Sequence, residues 1–216
     1  MEPDAVEIRV LGSLIEKQRT TPDAYPLSLN ALRLACNQST NREPVVDYDE
    51  AAVSEALRRL ALRGWTRLSS GAGRRARKYR HLLPEALELD SAELSLLGVL
   101  MLRGPQTPGE LKQRSARLHD FADLGAIHST LDRLVERGLV ARHERRPGQK
   151  EERYEQLLGA GVGEAAAAAS AELSPEAGAD EAVATDAPDD RLARLEREVA
   201  DLRSELASLR ERLGEG

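Results

Sequence analysis

Six cations, Arg67, Arg74, Arg75, Arg77, Lys78 and Arg80, lie between Thr66 and His81 without an acid among them. Arg58, Arg59 and Arg63 come just before. One chemistry suits such a cluster. Duplex phosphates present a dense line of negative charge, and each phosphate neutralised releases counterions, so a basic hairpin favours DNA whatever its sequence. A charged hairpin is more often a plain solvated surface, but the lack of any acid on so short a piece sets this one apart. These nine residues form the candidate DNA-binding set.

Other chemistries find less support. His81, His119, His128 and His143 are scattered, without the i, i+4 or Cys-x-x-Cys spacing that clusters metal ligands. No Walker loop, dinucleotide fingerprint or Gly-x-Ser-x-Gly elbow is present. Cys36, beside Leu34 and Ala35, reads as a buried core thiol rather than a nucleophile. The expectation is a protein that is not an enzyme, with no catalytic residue, metal or cofactor. Aromatic content of 3% argues against single-strand or RNA platforms, which stack bases on rings.

The elements that must position the cations show a repeat. Leu57-Arg58-Arg59-Leu60-Ala61-Leu62-Arg63-Gly64 returns as Leu131-Asp132-Arg133-Leu134-Val135-Glu136-Arg137-Gly138. Both read as the last turns of an amphipathic helix closed by a left-handed glycine. A strand-like run follows each, Trp65 to Leu68 and Leu139 to Arg142. Upstream, the capping box Asp4-Ala5-Val6-Glu7 returns as Asp90-Ser91-Ala92-Glu93, an offset of 86 residues that also maps Gly12 onto Gly98 and Thr21-Pro22 onto Thr107-Pro108. A second helix is placed from about Ser28 to Cys36, and Asn37 to Pro44 reads as a polar loop. Past that loop the offset falls to 74.

On a helical wheel, Val53, Leu57 and Leu60 point inward in the third helix of the first copy, with Glu55, Arg58, Arg59 and Leu62 outside. In the second copy Ile127, Leu131 and Leu134 point inward, with Ser129, Asp132, Arg133 and Glu136 outside. Each copy closes with a hairpin through a Gly71/Gly73 turn or a Pro147-Gly148 turn, and the return strands share basic-Tyr-x-x-Leu-Leu at Lys78-Tyr79 and Arg153-Tyr154. Three helices, a glycine and a hairpin make a winged helix. The fold class expected is mostly α with small β-hairpins (α+β): winged-helix domains at 1–89 and 90–159, a flexible acidic linker at 160–189 and a C-terminal coiled-coil helix at 190–214.

Charge follows the same division. Of 31 basic and 37 acidic residues, residues 1–90 hold 14 and 13, residues 91–158 hold 11 and 10, and the remainder hold 6 and 14. The net charge of -6 therefore belongs to the tail. There, Leu192, Leu195, Val199, Leu202, Leu206, Leu209 and Leu213 alternate steps of three and four, the seam of a coiled coil, and mark the chain for homodimerisation. Glu198 and Glu205 against Arg203 and Arg210 suit a parallel pair. No apolar run approaches the length of a membrane span and no lipidation signal is present, so a cytoplasmic protein is expected.

Five strings in order, Tyr25-Pro26-Leu27-Ser28-Leu29-Asn30-Ala31-Leu32, Ala35-Cys36-Asn37-Gln38, Asn41-Arg42-Glu43-Pro44-Val45, Leu102 to Leu111 (LRGPQTPGEL) and Pro147-Gly148-Gln149-Lys150-Glu151 with Arg153-Tyr154, resemble the YceH family of bacterial proteins. The resemblance spans about residues 5–158. It implies tandem winged-helix domains in a bacterial cytoplasm and brings no catalytic residues.

The function expected is double-stranded DNA binding through the third helix and basic wing of the first domain, as in a transcriptional regulator, with dimerisation through the second domain or the C-terminal helix. The second wing sets Arg142, Arg145, Arg146, Lys150 and Arg153 against Glu144, Glu151, Glu152 and Glu155, so its field nearly cancels and the second domain suits architecture or a protein partner. The competing class is an interaction scaffold of the chromosome-segregation or complex-assembly kind, favoured by Leu62 on the outer face of the third helix.

Overall fold

A computed structural model describes residues 2–69, 77–143 and 151–159. Both hairpin turns, with Arg74 and Arg75 in the first, fall outside the described residues, as do the linker at 160–189 and the heptad seam from Leu192 to Leu213. The described chain is a mixture of helices and small antiparallel sheets, an α+β arrangement. None of its helices is long and apolar enough to cross a membrane.

The first half opens with helix α1, Ala5–Thr20. The Asp4 carboxylate accepts the Glu7 amide at 2.9 Å while the Glu7 carboxylate accepts the Asp4 amide at 3.0 Å, so the expected capping box satisfies two orphan donors. A 3-10 turn (Pro22–Ala24) and the short strand β1 (Leu27–Ser28) lead to α2, Leu29–Cys36. Helix α3 spans Glu50–Leu62, with Asp49 accepting the Ala52 amide at 2.7 Å. Strands β2 (Thr66–Leu68) and β3 (Lys78–His81) complete a three-stranded antiparallel sheet in the order β1-β3-β2.

After a one-turn helix α4, Leu83–Ala86, the pattern returns. Helix α5 (Ser91–Arg103) carries the second capping box, Asp90 with Glu93. Helix α6 (Pro108–Ser115) is capped by Thr107 and Glu110, and α7 (Leu124–Glu136) by Asp123, the counterpart of Asp49. Strands β4 (Val140–His143) and β5 (Arg153–Gln156) form the second hairpin. Gly64 (φ 76°) and Gly138 (φ 67°) stop α3 and α7 in the left-handed region, and the next amides, Trp65 and Leu139, bond back to the Leu60 and Leu134 carbonyls.

One mapping is corrected. Thr21-Pro22 is not the counterpart of Thr107-Pro108: the former starts the 3-10 turn, and Ser28 is the residue that caps α2 as Thr107 caps α6. Pairing confirms the register, because Leu27 opposes Tyr79 just as Gln106 bridges Tyr154. Local start signals look alike in sequence. The strand partner decides which one the helix uses.

The core follows the wheels: Val53, Leu57, Leu60, Ile127, Leu131 and Leu134 are all buried. Cys36 is fully buried, and that burial raises its thiol pKa. Helices α1 and α5 pack along one another between the two halves. Every residue from Glu7 to Ile15 and from Glu93 to Leu102 is buried. Glycines permit the approach: a Cβ on Gly12 would stand 3.0 Å from the Met101 side chain, and one on Gly98 would stand 2.8 Å from that of Ile15. With Gly12 equivalent to Gly98 and Ile15 to Met101, the two contacts are one contact seen twice, the signature of a two-fold relation between halves.

Candidate nucleic-acid interface

Helix α3 and the β2-β3 hairpin border a shallow groove of about 300 Å³, with Arg58, Ala61 and Glu55 on the helix side and Leu68, Arg77 and Tyr79 on the strand side. The described candidate cations divide here into three groups with different surroundings.

Arg59 and Arg63 turn away from solvent. Helical period puts Arg59 on the outer face of α3, but it leans onto α1, where its Nε donates to Glu7 at 3.2 Å and its Nη2 reaches Asp4. The Nε of Arg63 donates to the other Glu7 oxygen at 3.5 Å. Glu7 is 1% exposed, so its charge depends on these partners. The second half builds the same clamp: Arg133 donates to Glu93 at 3.3 Å and to Asp90 at 2.9 Å, and Arg137 donates to Glu93 at 3.1 Å. The arginines shared by both copies thus tie the end of the third helix to the start of the first.

Arg58 is exposed and makes a two-pronged pair with Glu55, at 2.8 and 2.6 Å. That hydrogen bond raises the Arg58 pKa and lowers that of Glu55. In high dielectric such a pair holds weakly, and a phosphate can displace it.

The hairpin cations differ. Among the described residues, none of Arg67, Arg77, Lys78 and Arg80 forms an ion pair. Arg67 and Arg77 are exposed, while Lys78 and Arg80 are half-buried. Arg67 lies directly opposite Arg80 across the ladder, a like-charge pairing that a strand pair ordinarily avoids. At the equivalent rung of the second hairpin Ala141 faces Glu155. There, among the described residues, each arginine has an acid, Arg142 with Glu152 at 2.6 Å and Arg153 with Glu110 at 3.1 Å, and the His143 ring lies 2.8 Å from Glu155. One hairpin keeps its positive field and the other cancels it.

Two exposed leucines flank the basic face, Leu62 at 77% and Leu68 at 45%. Trp65 and Tyr79 are half-buried and pack against the core. At the base of the first hairpin His81 is buried, its Nε2 2.8 Å from Gln18 Oε1, and burial pushes its pKa down to about 4. Beside it the Tyr25 hydroxyl accepts the His81 amide at 3.0 Å, and burial pushes that phenol up to about 12. Local spacing does not reveal the Glu7 clamp, because its members stand more than fifty positions apart. The repeat itself was the only available signal, since it kept Glu and both Arg in each copy.

Comparison with known proteins places these features in a family. The sequence model described as "Protein of unknown function, DUF480" matches residues 4–149. The chain is 50% identical over 183 residues to a UPF0502 protein of Pseudomonas paraeruginosa, covering 85% of this chain and 82% of that one. It is 53% identical over 174 residues to a UPF0502 protein of Geotalea daltonii, covering 80% and 78%. A UPF0502 protein of Pelobacter propionicus is 48% identical over 207 residues, covering 94% of this chain and 91% of its own. The resemblance to YceH points to the same group, of which YceH is a member name.

Proposed function

The chain belongs to the DUF480 (UPF0502) family, and from that premise we propose that it is a tandem winged-helix protein that binds double-stranded DNA through its first half, in the manner of a transcriptional regulator. One observation carries the reading: among the described residues, the cations of the first hairpin make no ion pair, whereas Arg142 and Arg153 of the second each have an acid. Unpaired arginines at close quarters repel each other and gain most from a polyanion. Arg67, Arg77, Lys78 and Arg80 line the duplex, joined by Arg58 once it exchanges Glu55 for phosphate and by Arg74 and Arg75 from the turn. Arg59 and Arg63 support α3 from behind. The second half supplies architecture or a partner surface, and the heptad seam at Leu192 to Leu213 pairs two chains in the cytoplasm.

Changing Arg74, Arg75, Arg77 and Lys78 together to Glu tests this on the full chain. Duplex affinity, read by fluorescence anisotropy, is expected to vanish while the melting temperature stays nearly constant. The wild-type salt slope, near 0.9 per phosphate contact, measures how many cations engage. Unchanged affinity in the variant removes the hairpin from the interface.

Leu62 and Leu68 favour a second reading, an interaction scaffold whose groove takes a partner helix. Salt-insensitive capture of a protein, with no duplex binding, would favour it.

A further inference from the structure

Two of the strings that carry the family resemblance take no part in the basic hairpin, and they meet elsewhere. The Glu43 amide donates to the Leu102 carbonyl at 2.8 Å, and the Arg103 guanidinium donates to the Asn41 side chain. Asn41 adopts the left-handed conformation (φ 61°) to reach it. Their junction walls a cleft of about 390 Å³ between the two halves, bounded by the end of α1, the loop after α2, the end of α5 and the segment around α6.

The charges of this cleft do not balance. Arg103, Arg114 and Arg117 line it, against one lining acid, Glu16. That acid is already spent: both its oxygens accept from the fully buried Arg42, at 3.1 and 2.6 Å, and Lys17 stands 3.4 Å away. Arg114 reaches Glu110 only at 3.5 Å, and Glu110 also serves Arg153. Among the described residues, Arg117 makes no ion pair. Gathering like charges costs energy, and Arg103 shows it: its pKa is lowered by burial first and then by Arg114 and Arg42. The floor is apolar, with Val99, Leu102 and Leu118 all buried. Guanidinium forks match phosphate and carboxylate geometry, and clefts of this size between structural units commonly hold small molecules.

We infer that the cleft between the halves binds a small organic dianion, a phosphate monoester or a dicarboxylate, with Arg103, Arg114 and Arg117 on its charged end and its apolar body against Val99, Leu102 and Leu118. The inference is independent of DNA binding, because none of these residues belongs to the hairpin. The first half closes the opposite side of the cleft with Glu16, Thr20 and Asn41, so a ligand held by the arginines of the second half sits against both.

Titration calorimetry on the full chain at fixed ionic strength tests it with three probes: phenyl phosphate, phthalate and inorganic phosphate. Saturable binding of phenyl phosphate or phthalate is expected at millimolar or lower concentration, and the tighter of the two names the head group. Inorganic phosphate is expected to bind more weakly, for want of the apolar contact. Arg117→Gln, at an exposed position that leaves the fold intact, is expected to weaken binding about tenfold, and Arg103→Gln to do the same. Duplex affinity is expected to be unaffected by Arg117→Gln, and probe affinity to survive the Glu-substituted hairpin. Absence of saturation by both organic probes, equal binding of inorganic phosphate, or binding indifferent to Arg117→Gln would each overturn the assignment.

Discussion

The Glu93 carboxylate holds the Arg137 guanidinium at 3.1 Å through the same oxygen that caps the Asp90 amide. One repeat earlier the capping oxygen of Glu7 is shared with Arg59 instead, while the other oxygen accepts from Arg63; at Glu93 that other oxygen accepts from Arg133. A single glutamate therefore begins one helix and anchors the end of another. Replacing it disturbs both.

Glu7→Gln or Glu93→Gln is expected to lower stability by about 2 kcal/mol. Breaking a buried pair costs more than that, but the arginine partners remain partly solvated and soften the loss. Urea denaturation reads the change. A loss below about 0.5 kcal/mol, the scale of an ordinary surface substitution, would show the clamp to be ornamental. Because the clamp is structural, Arg63→Gln should weaken the fold while leaving the duplex affinity of the folded fraction as it was.

At the junction of the halves, Gly98→Val places a Cβ 2.8 Å from Ile15 Cγ2 and adds two methyl groups beyond it. Overpacking of this kind costs about 1–3 kcal/mol. The β-branched side chain brings little helix propensity to offset it. Combining Gly98→Val with Ile15→Ala should recover part of the loss, since the two sites share one space. Strict additivity in the double-mutant cycle would mean that they do not touch.

His81 sets an acid limit. Its folded pKa of about 4 lies below the ordinary 6.5, with burial as the main cause. The unfolded chain therefore binds the proton first, and stability falls as pH drops from 6.5 towards 4, by about 3 kcal/mol in full. Above 6.5 this group contributes no slope. The second half holds Gln156 at the equivalent rung, buried as well. His81→Gln is accordingly expected to flatten the window between pH 4 and 6.5 in denaturation midpoints. Should the acid limb persist unchanged, another group is responsible for it.

Arg80→Glu offers a separation of stability from binding. Across the ladder from Arg67 it replaces repulsion by attraction, so the hairpin gains about 0.5 kcal/mol. Duplex affinity should fall all the same, and its salt slope should shrink by about one unit. A variant that is both more stable and fully competent for DNA would show that this rung never meets a phosphate.

Much of this fold could be read in advance, and the reasons are local. Asp4 with Glu7, Asp90 with Glu93, Gly64 and Gly138 are short-range signals whose hydrogen bonds close within a few residues. The inward faces of α3 and α7 follow from helical period alone. The remaining features depend on partners far along the chain. Arg42, in a polar stretch read as loop, is buried because Glu16, Gln38 and the Ala35 carbonyl surround it. Arg59 leaves the outer face because Asp4 and Glu7 attract it. The cleft of Arg103, Arg114 and Arg117 exists only once α1 and α5 meet, and spacing within either half gives no sign of it.

The matched glycines at the α1–α5 junction carry a consequence for how the two halves diverge. Identical subunits in a symmetric pair must change together, because one gene writes both. Two halves within one polypeptide are released from that bond, so one hairpin can shed its acids while its twin acquires them, and the packing between Gly12 and Gly98 is indifferent to either. Two such chains joined would offer two charged blades rather than four, and the spacing between those blades, not their number, would determine where on a duplex both can land.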